Sequence, residues 1–318
     1  MTIYEEYKEI YKTNIEIDFN TEIKKYHFED SVHNFTPISH NCVQKCEECT
    51  HQCYKSLGRL MRKNLVFYCY GEQEIVKKVK SGFFTDLEKA TQYAYKNRLP
   101  KRMPEQDGLP SEVLFDLLIQ SLVPDAYKLA VRAIFRQNDN NEIKGYDLTY
   151  FTNDNGKIAL WLGQAKLGSE SYCKSGINDD LILKFTQEYM SKQVYFISDK
   201  QSGLSDEGVE LTNVINELNL INIEKDEKKR AKALIDYILN NGISINIPCL
   251  LAYGKKGVYN DLSELELQIK NEVERIKEYF DKHIYIFDGF VPNLMFYVFP
   301  IEDLEGLRGE EGFYEGLR

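Results

Sequence analysis

The alternation of apolar and polar positions divides the chain into short apolar runs and amphipathic stretches. LVFYCY, Leu65 to Tyr70, is unbroken apolar sequence and predicts a buried strand. EQEIVKKVKSGFF, Glu72 to Phe84, has helical spacing and stops at Gly82. TDLEKATQYAYKNRL, Thr85 to Leu99, predicts a second, capped helix. PKRMPEQDGLP, Pro100 to Pro110, combines three prolines with a glycine and is the best boundary in the chain. Beyond it, SEVLFDLLIQSL predicts an apolar helix capped by Ser111, and AYKLAVRAIF a strand. GYDLTYF and KIALWLGQAK predict two strands around TNDNG. A helix over Asp179–Lys192 and a strand at QVYFIS, Gln193 to Ser198, come next. A long helical stretch ends at Asn240–Gly242, followed by INIPCLLAY, an acidic helix over Leu262–Phe280, and strands at IYIF and LMFYVF. This order indicates an α/β or α+β class, with a mixed α/β region at 1–105 and a second region at 106–318.

The tail EGLRGEEGFYEGLR, Glu305 to Arg318, repeats EGLR but is too short for a repeat architecture. It predicts a mobile or partner-docked terminus. The N-terminus has neither a basic start nor an apolar core, so no signal peptide is expected. No apolar run reaches membrane length. A cytoplasmic protein is the expectation.

Charge narrows the functional classes. A formal net charge of −10 argues against a protein that coats nucleic acid by bulk electrostatics. Contact with nucleic acid would need local patches or a partner. Lys77, Lys78 and Lys80, then Lys96, Arg98, Lys101 and Arg102, then Lys228, Lys229 and Arg230 form basic runs. Such runs are ordinarily solvated helix faces. GKKG, Gly254 to Gly257, lacks the spacing and the following Ser or Thr of a phosphate loop, so ATPase chemistry is not expected.

Four of the seven cysteines, Cys42, Cys46, Cys49 and Cys53, crowd into one stretch beside His40 and His51. Zinc, an iron–sulfur cluster and redox chemistry are the functional readings. The steps of four, three and four are also helical, and the stripe continues to Leu57 and Leu60. On one helix Cys42 and Cys53 would lie about 16 Å apart, too far for one metal. A metal would require a break between Cys46 and Cys49. A core-facing helix is the simpler reading, since free cysteine behaves as a small buried hydrophobe.

The two strands around TNDNG carry the sharpest signal. Asn155–Gly156 is the strongest two-residue hairpin turn. Centred there, Asp154 pairs with Lys157, and counting back along both strands sets Asp147 opposite Gln164. Their Cβ atoms are then about 5 Å apart on one face. Lys166 lies two residues on, on that same face, while Ala165 points away. A carboxylate, an amide and an ammonium at the end of an apolar hairpin are costly unless they pair or bind something. An Asp147–Lys166 ion pair is one reading. The other is a divalent-metal site for phosphodiester hydrolysis, in which the metal activates water and the lysine orients or deprotonates it and stabilises developing charge. Such a site needs a further carboxylate. Glu112, in the first turn of the preceding helix, is the candidate, and Asp116 one turn later is the reserve.

Helix with Glu112, strands, Asp147, then Gln164–Ala165–Lys166 resembles the PD-(D/E)xK nuclease superfamily over residues 108 to 200. The pattern GYD followed by LWLGQAK resembles, more narrowly, the HamA family, the nuclease subunit of the Hachiman anti-phage defence system. The resemblance implies a restriction-endonuclease-like core, a central mixed sheet flanked by helices, with an N-terminal α/β extension. It implies a DNA nuclease dependent on Mg²⁺ or Mn²⁺, working with a superfamily 2 helicase of HamB type that uses ATP and senses DNA. Glu112, Asp147, Gln164 and the Ala165 carbonyl would hold the metal, and Lys166 would be catalytic. The chain departs from the pattern at Gln164, where Glu or Asp is usual. QxK variants occur in Mrr-like members, yet a neutral amide is a weaker Mg²⁺ ligand, so weak metal affinity, a preference for Mn²⁺, or an inactive adaptor that binds helicase or DNA is implied.

Overall fold

The computed structural model describes residues 1–29, 32–42, 52–99, 108–123, 125–131, 145–198, 204–207, 211, 216, 220 and 225–318. The N-terminal helix α1 (Ile3–Tyr11) is closed by a Thr2–Glu5 capping box and runs through a π-turn (Lys12–Glu16) into α2 (Ile17–Glu22). The strands β1 (Ile23–Lys25) and β2 (Asn34–His40) precede α3 (Tyr54–Cys69), α4 (Glu72–Lys80), α5 (Leu87–Arg98) and α6 (Leu109–Leu122). Then come β3 (Tyr127–Lys128), β4 (Leu148–Asp154), β5 (Lys157–Gly168), α7 (Glu170–Leu183), α8 (Gln187–Ser198) and α9 (Glu227–Asn240). The chain ends with β6 (Ser244–Gly254), α10 (Leu265–Phe280), β7 (Asn293–Ile301) and the short α11 (Leu304–Arg308).

The described strands form one seven-stranded mixed sheet in the order β1-β2-β7-β6-β5-β4-β3. β5, β6, β7 and β2 are parallel at its centre, and β1, β4 and β3 are antiparallel to their neighbours. Parallel central strands need cover on both faces. β5 supplies side chains to both. Trp161, Ala165 and Leu167 join a cluster with α1, α3 and α6, whereas Leu160 and Leu162 join one with Cys173, Ile177 and Leu181 of α7 and with α9 and α10. The N-terminal strands belong to this sheet, and Tyr4, Tyr7, Leu57 and Leu65 share a core with Phe115 and Phe299.

The expected hairpin forms in the expected register. Asp154 pairs with Lys157 and Leu148 with Gly163. Asn155 and Gly156 take φ of +50° and +86°, the left-handed pair that lets a two-residue turn match the strand twist.

Several expectations are corrected. LVFYC is the last turn and a half of α3, with Leu65, Val66, Phe67 and Cys69 all buried, and Tyr70 is its extended C-cap. Its apolar run reflects burial on every side rather than a strand. QVYFIS likewise belongs to α8, and the helix expected over 179–192 is two helices with a break at Lys184–Thr186. IYIF is irregular chain, with Ile284 and Ile286 turned to solvent. Only Tyr127–Lys128 of AYKLAVRAIF is strand, and residues 132–135 lie outside the described residues. The N-cap of α6 is Gly108; Ser111 sits inside the first turn and donates its hydroxyl to the Gly108 carbonyl at 2.7 Å.

The cysteine stripe is not one helix. His40 ends β2 and Cys53 is the extended N-cap of α3, so among the described residues of the stripe the helix begins at Tyr54 and carries buried Leu57 and Leu60. Cys46, Cys49 and His51 lie outside the described residues. The C-terminal tail is docked on its own chain, with Phe313, Tyr314 and Leu317 buried in the core. Gly58 and Gly312 meet so closely that a Cβ on Gly58 would stand 2.6 Å from the Gly312 carbonyl carbon. Arg62 clasps the segment through the Gly312 carbonyl and Glu315.

Candidate active site

The hairpin register places Asp147 one residue before β4, where β5 continues beyond its partner. The Asp147 N–H donates to the Gly163 carbonyl at 2.9 Å, and its Oδ2 accepts the Ala165 N–H at 2.9 Å. A strand residue turns its N–H and C=O toward the same neighbour. The Ala165 carbonyl therefore points to the side on which β4 has stopped. Asp147, Gln164 and Lys166 share the face covered by α7, as the period of two requires.

Helix α7 completes the surroundings. The Ser169 hydroxyl caps it by accepting the Tyr172 N–H at 3.3 Å, which turns the chain back over β5. Gly176 leaves the passage for Lys166: a Cβ there would stand 2.8 Å from Lys166 Cε. Lys166 Nζ reaches Asp180 Oδ2 at 2.5 Å, and Lys184 Nζ lies 3.1 Å from Asp180 Oδ1. Lys184 also donates to Gln164 Oε1 at 2.6 Å, while Gln164 Nε2 donates to the Gly163 carbonyl at 2.9 Å. Gln164 is fully buried, and these two bonds fix which way its amide faces. The Tyr146 hydroxyl donates to the Lys184 carbonyl at 2.9 Å, tying the end of α7 to the residue beside Asp147.

Lys166 forms its ion pair with Asp180 rather than with Asp147, the partner that the ion-pair reading gave it. Asp147 acts on it through its field. Burial disfavours the ammonium, but Asp147 and then Asp180 outweigh burial, and the Lys166 pKa is raised. Lys166 is held as a cation that can orient and stabilise an anion, which speaks against its taking a proton from water.

Sequence reasoning missed Asp180 and Lys184. The available signal was an acid on the apolar stripe of a helix: Cys173, Ile177, Asp180 and Leu181 are all buried.

Glu112 sits on α6, which packs on the opposite face of the sheet from α7, and accepts the hydroxyl of Tyr68. Asp116 accepts from Asn64 at 2.9 Å, from Gln120 at 2.6 Å and from Tyr150 at 2.5 Å. That buried carboxylate is satisfied by protein donors and reads as a structural tie among α3, α6 and β4.

The donor set suits a hard divalent cation. Asp147 carboxylate, Gln164 amide oxygen and the Ala165 carbonyl are all oxygen ligands, carried by adjacent backbone. Among the described residues no three His, Cys, Asp or Glu side chains gather as a metal-holding group. An amide and a main-chain oxygen would have to supply what carboxylates supply elsewhere.

Other sequence signals lead back to structure. Burial raises the thiol of Cys173 to about 12 and those of Cys69 and Cys249 further, so these three are packing groups rather than nucleophiles. The basic runs are largely engaged: Lys80 pairs with Glu6 at 2.6 Å, Arg98 with Glu74 at 2.7 Å, and Lys78 lies over the rings of Tyr70 and Phe83. Lys101 and Arg102 are outside the described residues.

The HamA family model matches residues 17–317, nearly the whole chain. The chain belongs to the HamA family. No curated protein matches it. Membership of the HamA family points to a component of the Hachiman defence system. No described helix is long and apolar enough to cross a membrane.

Proposed function

We propose that this HamA-family chain is a metal-dependent DNA nuclease of PD-(D/E)xK type, the effector subunit of a helicase–nuclease defence complex. The observation that carries the reading is the fork at the start of β4. Asp147 binds the Ala165 N–H there, with Gln164 and Lys166 beside it on one face. Asp147, Gln164 and the Ala165 carbonyl would hold Mg²⁺ or Mn²⁺, whereas Glu112 lies with α6 on the other face of the sheet. The metal would lower the pKa of bound water and neutralise phosphate charge. Lys166, kept cationic by Asp147 and Asp180, would orient the scissile phosphate and stabilise the charge that develops on it. A superfamily 2 helicase would supply ATP use and DNA sensing, in keeping with a net charge of −10 and the absence of a phosphate loop from the sequence.

The test is cleavage of linear and circular DNA with Mg²⁺ or Mn²⁺, by wild type and Lys166→Ala, with and without the helicase and ATP. Metal-dependent cutting by wild type, lost in Lys166→Ala, supports the nuclease. A second reading, a nuclease-fold adaptor that binds helicase or DNA without cutting, is favoured by one observation: the Gln164 oxygen is already bonded by Lys184. Absence of cutting in every condition would support it.

A further inference from the structure

The oxygen that would serve a metal at Gln164 already faces a cation. Lys184 Nζ stands 2.6 Å from Gln164 Oε1 and 3.1 Å from Asp180 Oδ1, and Asp180 in turn holds Lys166 at 2.5 Å. The four side chains make one charge-alternating chain: Lys166, Asp180, Lys184, Gln164. With Asp147 they balance two carboxylates against two ammonium groups. A neutral amide at 164 fits this balance, for Lys184 needs an acceptor and Asp180 already supplies the anion.

We infer that Lys184 is a built-in competitor for the divalent cation at Gln164 and sets how much metal the site requires. The inference rests on the metal-site reading above. A dication cannot share the same oxygen lone pair with an ammonium at hydrogen-bonding distance, and the two charges repel. The metal gains Gln164 as a ligand only when Lys184 withdraws. Lys184 has somewhere to go. It is the C-cap of α7, 22 % exposed, on a four-carbon stem that can turn its ammonium to water beside the negative end of the helix. Asp180 stays bonded to Lys166 when it does. The amide is then anchored only by its bond to the Gly163 carbonyl, which leaves Oε1 facing α7 and free to accept.

The test is calorimetric titration of Mn²⁺ into the full chain, with no DNA and no turnover. Wild type, Lys184→Met, Lys184→Gln and Lys184→Arg are compared, and Asp147→Asn reports which binding belongs to this site. Removing the ammonium should tighten Mn²⁺ binding about tenfold or more in the Met and Gln variants, the worth of one charge-assisted hydrogen bond. The Arg variant, which keeps the charge, should stay near wild type. Circular dichroism identifies any variant that does not fold, and either neutral variant suffices. Asp147-dependent binding in wild type that is unchanged or weaker without the Lys184 ammonium overturns the competitor and leaves the metal site standing. Absence of Asp147-dependent binding in all variants overturns the metal site itself, and the competitor with it.

Discussion

Asp147 closes the open end of β5 by accepting the Ala165 N–H at 2.9 Å. One carboxylate thus has a structural bond and, in the proposed nuclease, a metal to hold. The two roles separate by substitution. Asp147→Ala leaves the Ala165 N–H without its partner and should lower stability by about 1–3 kcal/mol. Asp147→Asn keeps an acceptor oxygen and should unfold close to wild type. Both should lose Mn²⁺ binding and DNA cleavage. Denaturant unfolding beside cleavage assays checks this; equal destabilisation by Asn and Ala would mean that the carboxylate charge, not the acceptor oxygen, holds the strand end.

Asp180 is a positioning residue in the same scheme, because it touches Lys166 and Lys184 rather than the proposed metal. Asp180→Asn keeps the side-chain shape and removes the charge that pairs both ammonium groups. Lys166 then loses its orientation. Cleavage should fall about tenfold or more in kcat, with KM for DNA little changed, the pattern of a contact used in the transition state. A rise in KM with kcat intact would instead make Asp180 part of substrate binding.

How much of this was legible beforehand depends on the range of the contacts. The hairpin was legible because two local rules fix it: Asn155–Gly156 supplies the two left-handed residues, and the period of two then carries Asp147, Gln164 and Lys166 to one face. LVFYCY was misread because a short run buried on all sides has no period to reveal its backbone, and QVYFIS because a short apolar run fits helix and strand alike. Asp180 and Lys184 were missed because their contacts cross from α7 to β5, and nothing in the local pattern of NDDLILK states which strand lies beneath it. The C-terminal tail misled for a similar reason. Its glycines signal close approach to α3, at Gly58 against Gly312, as readily as they signal mobility.

Two glycines line opposite faces of β5 and should respond differently to alanine. At Gly163 a Cβ would stand 2.5 Å from the Phe115 ring and 3.1 Å from Leu148 Cβ, between α6 and β4. Gly163→Ala should therefore cost about 1–3 kcal/mol through overpacking. At Gly176 the obstacle is Lys166 Cε at 2.8 Å, the outer part of a flexible chain. Gly176→Ala should keep most of the stability, because helix propensity favours alanine, yet push the Lys166 ammonium off Asp180 and depress cleavage. Thermal unfolding and cleavage measured on both variants give the contrast, which fails if Gly176→Ala cuts DNA at the wild-type rate.

The N-terminal region carries a pH-dependent tie of its own. Glu22, at the end of α2, meets His40 Nε2 at 3.1 Å, the Ser56 hydroxyl at 2.6 Å and Arg59 at 2.7 Å. Burial disfavours its carboxylate, but these partners outweigh burial and the pKa is lowered below 4.5. A depressed carboxylate contributes stability that is fully present above its unfolded pKa and is lost as pH falls through the folded value. Glu22→Gln should accordingly cost about 1.5–3 kcal/mol at pH 7, the range for hydrogen bonds to a charged group. The gap between wild type and variant should close as the pH drops below 4.5. Urea midpoints measured for both proteins across that range decide it. A gap independent of pH would show that shape and hydrogen bonding at Glu22, rather than its charge, join α2 to β2 and α3.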